Sequence, residues 1–174
     1  MQAETKRMSI VESILKEIEQ EAEITKRLLE IVPEDKLSWR PHAKAKSLGE
    51  LAMHIAGLQG GVASLGKNDI AERPDDLGVD REAASRDEIL KSFAESQAQA
   101  KAIVGATDEN ALFSEWKLVS GGQTLAAMPR IAFWRSILLN HNYHHRGQLA
   151  TYLRQLDVPL PSIYGPSADV NPFA

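Results

Sequence analysis

The sequence predicts an all-α fold, an up-down four-helix bundle with a small hairpin or an irregular loop before the last helix and an extended C-terminal tail. Three observations lead to this prediction. Four long segments repeat apolar residues at intervals of three and four, as helices do. Few segments alternate apolar and polar residues, and the tail holds four prolines without any period. The 174 residues, 43% of them apolar, suit a single domain over residues 1–174.

The first helix is predicted over residues 4–32. Its apolar stripe begins with Val11 and Ile14, and Glu and Lys residues fill the opposite face. Pro33 ends this helix because proline cannot continue the backbone hydrogen-bond pattern. Residues 33–46 then form a loop.

The second and third helices begin with the same local signal. Ser47 and Glu50 have the spacing of a capping box, and Ser85 and Glu88 repeat it. A segment rich in Asp, Gly and Pro separates the two helices and is typical of a surface loop. The predicted spans are residues 47–65 for the second helix, 67–82 for the loop and 85–104 for the third helix.

The region before the last helix is ambiguous. Trp116 and Leu118 precede Gly121 and Gly122, which favours either a small hairpin or an irregular loop over residues 113–125. The fourth helix is predicted to start at Met128 or Pro129 and to run to residue 156. The tail, residues 158–174, is expected to lie as extended coil over the bundle.

Composition excludes several classes of protein. The chain has 20 Lys and Arg against 24 Asp and Glu, so its formal charge of -4 argues against nucleic-acid binding. It has no cysteine, which excludes disulfides and cysteine-ligated metals. The polar segment Met1–Met8 lacks the apolar stretch of a signal peptide, and no apolar run is long enough for a membrane span. We therefore expect a soluble, cytoplasmic protein with neither nucleic-acid nor membrane partners.

The histidines carry the chemical information. At about 100° per residue, His141 and His145 both lie within about 20° of the centre of the fourth helix's apolar stripe, one turn apart. In the second helix, His54 shares a face with Leu51 and Leu58. The sequence therefore predicts three imidazoles that face the interior from two helices.

Three such rings suit a metal ion. Two imidazoles at positions i and i+4 can bind one ion, and the third completes a three-histidine site with positions left for water or substrate. A divalent transition metal, namely Zn, Ni, Fe or Mn, fits these ligands. The alternative is that each ring is an ordinary buried polar residue, but each would then need its own hydrogen-bond partner.

Neighbouring residues leave alternatives open. His144 could replace the histidine that follows it, although its angle to the stripe centre is larger. Gln148 could bond a ligand imidazole or merely pack, and His42 is expected at the surface. Gly147 suggests the close approach of another helix, and Arg146 is expected on the outside of the bundle.

Four stretches of the chain carry a resemblance to a known family. They are Leu51-Ala-Met-His54-Ile-Ala, Asn140-His-Asn-Tyr-His-His-Arg-Gly-Gln-Leu149, Tyr152-Leu-Arg154 and Pro161-Ser-Ile-Tyr-Gly-Pro-Ser167. Together they resemble the DinB family of DinB/YfiT-like metalloenzymes, over nearly the whole chain. The resemblance implies a four-helix bundle, a homodimer, and a metal site at His54, His141 and His145.

The resemblance also bears on function. Better understood relatives use small thiols, among them mycothiol-dependent isomerases and bacillithiol transferases. It therefore implies a metal-dependent enzyme of the thiol-dependent transferase or isomerase type, whose small-molecule substrate is a low-molecular-weight thiol. The alternative is a non-catalytic metal-binding stress or interaction protein. DNA binding is suggested by the family name alone, and the acidic charge counts against it.

Overall fold

The helices form where amphipathic segments follow residues that can cap them. The structure is a computed structural model, and it describes residues 8–79 and 81–173. The α-helices are α1 (Ile10–Leu29), α2 (Leu48–Leu65), α3 (Arg86–Gly105), α4 (Glu109–Phe113), α5 (Arg130–Phe133) and α6 (His141–Gln155). A 3₁₀ turn, Glu34–Lys36, follows α1, and a π-helical segment, Trp134–Asn140, joins α5 to α6.

Side-chain caps set the start of the long helices. The capping box predicted at Ser47 is confirmed, since Ser47 and Glu50 bond each other's backbone N–H groups. At α3 only half of the predicted box forms, because the Glu88 carboxylate accepts from the backbone N–H of Ala84 instead.

Helix α1 begins later than predicted. Ser9 and Glu12 form a capping box there, so α1 starts at Ile10. Glu4 itself lies outside the described residues. Among the described residues the predicted helix was too long at both ends, since Met8 and Ser9 precede α1 and α1 stops at Leu29.

A three-stranded sheet contradicts the predicted all-α four-helix bundle, which is wrong as a fold class. Its strands are β1 (Ile70–Glu72), β2 (Glu115–Ser120) and β3 (Gln123–Pro129), in that order. The predicted hairpin exists as β2 and β3, joined by Gly121 and Gly122 with positive φ. Strand β1 was missed because it pairs in parallel with β2, which lies far away in the chain.

The last helical stretch differs from the single helix that was predicted. Met128 and Pro129 belong to β3, and the helical stretch starts only at Arg130. Between Trp134 and Asn140 the backbone is π-helical, and the N–H of His141 donates to the carbonyl of Ser136. Trp134 and Leu138 remain fully buried in the core.

Arg146 lies inside the molecule, so its predicted outward position is wrong. It is 1% exposed and forms an ion pair with Glu21 of α1 at 2.6 Å. Its guanidinium also bonds Thr25 and the hydroxyl of Tyr164, which lies in the C-terminal tail. Helical angle alone could not show that α1 and the tail cover this face of α6.

Two glycines on the helices differ in their surroundings. A Cβ on Gly60 of α2 would lie 2.9 Å from the Cα of Ser96, so α2 and α3 cross at van der Waals contact there. Gly147 of α6 is exposed, and among the described residues nothing lies within 4 Å of a Cβ built on it. The helix contact predicted for Gly147 is therefore not made within the described chain.

No described helix is both long and apolar enough to cross a membrane.

Candidate metal centre

Helix α2 presents His54 from the middle of its length. Leu51 and Leu58, one turn away on either side, are buried and fix the face that α2 turns toward the core. The capping box at Ser47 fixes the start of the helix. His54 itself is only partly buried, so its ring reaches the edge of the core rather than its centre.

Helix α6 presents His141 and His145 one turn apart. Their Nε2 atoms lie 2.6 Å from each other, as expected for two rings at positions i and i+4 that point the same way. His145 is 7% exposed and His141 is partly buried. The pair therefore turns its ring nitrogens toward one point at the core boundary.

All three predicted residues meet in one group. The ring centroid of His54 lies 4.4 Å from that of His145 and 5.6 Å from that of His141. One ring nitrogen from each residue lies within 4.8 Å of the others. Two nitrogens bound to one ion at about 2.1 Å lie at most about 4.2 Å apart, so small side-chain rotations suffice for all three to bind it.

Burial keeps these rings neutral. Burial, together with the nearby His145, Lys46 and His141, lowers the pKa of His54 to about 4. It lowers the pKa of His145 to about 4 against the opposing hydrogen bond to Gln148, and it also lowers the pKa of His141. A neutral imidazole is the form that binds a metal, so the group is ready for one at neutral pH.

Hydrogen bonds inside the group fit a metal site as well. The Nδ1 atom of His145 lies 2.7 Å from the amide oxygen of Gln148. Since that oxygen can only accept, Nδ1 carries the proton and Nε2 presents its lone pair toward the other rings. In the described part of the chain the Nδ1 of His141 is buried without a hydrogen-bond partner, so the hydrogen bond of that ring is the one between the two Nε2 atoms. The residues present therefore fit a metal ion.

The other histidines lie outside the group. The ring of His144 is exposed and contacts that of His145 edge-on, with centroids 4.9 Å apart. Of the two neighbours, only His145 contributes to the three-residue group. His42 is exposed in the loop before α2, where its Nδ1 accepts from the backbone N–H of Lys44.

Sequence reasoning missed Lys46. This residue precedes the cap of α2, and its positive charge lowers the pKa of all three histidines of the group. Its own pKa is lowered by burial, against the attraction of Glu50. The available signal was its position directly before Ser47, the residue that caps the helix carrying His54.

Comparison with known proteins places the chain among proteins of one family. The sequence model of the DinB family matches residues 1–170. The uncharacterised protein YrdA of Bacillus subtilis strain 168 is 26% identical over 160 residues, which cover 91% of this chain and 90% of that protein.

Two solved structures have a similar fold. A DinB-like protein from Bacillus cereus ATCC 10987 superposes with a TM-score of 0.71 at 21% identity, over 90% of this chain and 99% of the other. A DinB-like protein from Bacillus subtilis gives a TM-score of 0.67 at 20% identity, over 87% and 96%. At such identities the likeness concerns the fold alone.

Proposed function

The chain belongs to the DinB family, and from this membership and the geometry of its histidines we propose that it binds one divalent transition metal ion. His54, His141 and His145 hold the ion through their ring nitrogens. The observation that carries the proposal is the convergence of these three nitrogens to within 4.8 Å. Imidazole ligands suit zinc, nickel, iron or manganese.

The number of ligands favours a catalytic site over a structural one. Structural zinc sites are closed by four protein ligands, whereas catalytic sites keep a position for water or substrate. When bound, the ion lowers the pKa of a thiol or of water and so supplies a nucleophile near neutral pH. We assign the protein to metal-dependent enzymes of the thiol-dependent transferase or isomerase type. The homodimer and the identity of the substrate remain predictions.

The surroundings of the three histidines favour a small anionic substrate. Two of the three rings, those of His54 and His141, are partly exposed, so a small molecule can reach the group. The charge of Lys46 acts on all three rings and makes the potential there more positive. A thiolate is therefore favoured over a neutral ligand.

Calorimetric titration with a monothiol such as N-acetylcysteine tests this proposal. We expect binding to zinc-loaded protein, weaker binding to zinc-loaded Lys46→Met protein, and no binding to metal-free protein. Lys44→Met is the matched control, because Lys44 is an exposed lysine of the same loop. Equal thiol binding with and without zinc would overturn the thiol-dependent assignment.

A second candidate function is suggested by the two helices that carry the metal-binding histidines. His54 belongs to α2, whereas His141 and His145 belong to α6, so one ion would tie two helices together. A non-catalytic metal-binding stress or interaction protein needs no more than this. Strong stabilisation by zinc, together with no binding across a panel of thiols, would support this function instead.

A further inference from the structure

Gln148 makes a polar contact whose direction is fixed by chemistry. Its amide oxygen lies 2.7 Å from Nδ1 of His145. A carbonyl oxygen has no proton to donate, so the imidazole donates from Nδ1. In a neutral ring the other nitrogen, Nε2, is then unprotonated and has a lone pair.

The contact between the two α6 histidines is compatible with the same assignment. Their Nε2 atoms are 2.6 Å apart, which leaves room for one proton between them and not for two. With Nε2 of His145 as the acceptor, His141 supplies that proton in the metal-free protein. His145 is therefore the ring that already presents its lone pair to the group, before any ion arrives.

We propose that Gln148 is a positioning residue that holds His145 in the tautomer able to bind a metal through Nε2. This inference rests on the proposed function, because it assigns Gln148 a role at the same metal site. Gln148 lies three residues after His145 on α6, so the helix itself holds the amide beside the ring. Partners of this kind fix the orientation of ligating imidazoles and raise their basicity.

The environment of Gln148 makes its role separable from folding. The residue is exposed, so its replacement removes little buried surface. Gln148→Met keeps the length of the side chain and removes the acceptor, whereas Gln148→Glu keeps an acceptor. Gln155→Met is the matched control, because Gln155 is an exposed glutamine at the end of the same helix.

Zinc affinity, measured by competition with a chromophoric chelator, is the first readout. We expect Gln148→Met to bind zinc about 10- to 100-fold more weakly than the wild type. Gln148→Glu should bind at least as tightly as the wild type, and Gln155→Met should match it. Unchanged affinity in Gln148→Met, with zinc bound tightly by the wild type, would overturn the role of Gln148.

The tautomer is the second readout, and it needs no metal. Imidazole ¹⁵N shifts of the metal-free protein should show the His145 proton on Nδ1 in the wild type and in Gln148→Glu. In Gln148→Met part of that proton population should move to Nε2. A wild-type proton on Nε2 would refute the inference.

The two readouts separate this inference from the proposed function. If the wild type binds no zinc, the proposed function fails and the metal-site role of Gln148 fails with it. If the wild type binds zinc and Gln148→Met changes neither affinity nor tautomer, only the inference about Gln148 fails.

Discussion

The rings of His54 and His145 lie edge to face with centroids 4.4 Å apart, although one belongs to α2 and the other to α6. An ion held between them would link two helices that are separated in the chain by α3, α4, α5 and the three strands. Metal binding is therefore expected to stabilise the fold as well as to supply chemistry.

Zinc should raise the thermal stability of the metal-free protein. At a free zinc concentration of about 100 times the dissociation constant, the gain in unfolding free energy is about 2.7 kcal/mol. For a chain of this size the melting temperature should rise by about 5 to 10 °C, measured by circular dichroism. His54→Ala is the control and should not respond to zinc. A response of the same size in that variant would place the ion elsewhere.

His144 and His145 should differ in their effect on metal affinity. His145→Ala removes a ligand, so we expect zinc affinity to fall at least about 100-fold, by analogy with the loss caused by weaker changes around metal sites. His144→Ala should stay close to wild type, because the ring of His144 is exposed and outside the group. Chelator competition on both variants checks this, and the reverse order of affinities would assign the ligand to His144.

Acid should destabilise the metal-free protein. The pKa of His54 and of His145 is about 4 in the folded state, below the ordinary value near 6.5 that applies after unfolding. Between these values the unfolded chain binds more protons than the folded one, so stability falls as the pH drops from about 6.5 to about 4. Melting temperatures across this range should fall less steeply in His54→Asn than in the wild type. His42→Asn, a change at an exposed histidine, should follow the wild type.

Removing Arg146 should destabilise the fold strongly. Arg146→Met leaves the carboxylate of Glu21, whose side chain is only 13% exposed, without its cationic partner, which is expected to cost about 3 kcal/mol. The double variant Glu21→Gln with Arg146→Met should lose less, because no unpaired charge remains. Urea unfolding measures both. A single-variant loss below about 1 kcal/mol would contradict the importance of the ion pair.

Two neighbouring glycines of α2 should respond oppositely to alanine. Gly60→Ala places a Cβ 2.9 Å from the Cα of Ser96, and overlap of this kind is expected to cost about 1–3 kcal/mol. Gly61 is exposed, and in the described part of the chain a Cβ built on it meets nothing within 4 Å. Gly61→Ala should therefore stabilise the protein by up to about 1 kcal/mol, since alanine favours the helix. Stabilisation by both changes would show that α2 and α3 do not cross so closely.

The three-histidine group could be predicted from the sequence because it depends on local periodicity. A spacing of four residues puts His141 and His145 on one face of a helix, and the neighbours of His54 mark its inward face. The start of α2 was equally local, since Ser47 and Glu50 are three residues apart.

Contacts between distant segments could not be predicted in this way. Strand β1 forms because residues 70–72 pair with residues 117–119, and no local pattern marks such a partner. Arg146 is buried because α1 and the tail cover it, although its helical angle points away from the histidines. The π-helical segment before His141 also departs from the period of 3.6 residues per turn on which the predicted helical angles depend.

Elemental analysis of untagged protein, compared with a His141→Ala variant, tests the metal site most directly. We expect about one transition metal ion per wild-type chain and a small fraction of that in the variant, because two imidazoles hold an ion less firmly than three. Equal metal content in the two proteins, or none in the wild type after incubation with zinc and desalting, would contradict the site formed by His54, His141 and His145.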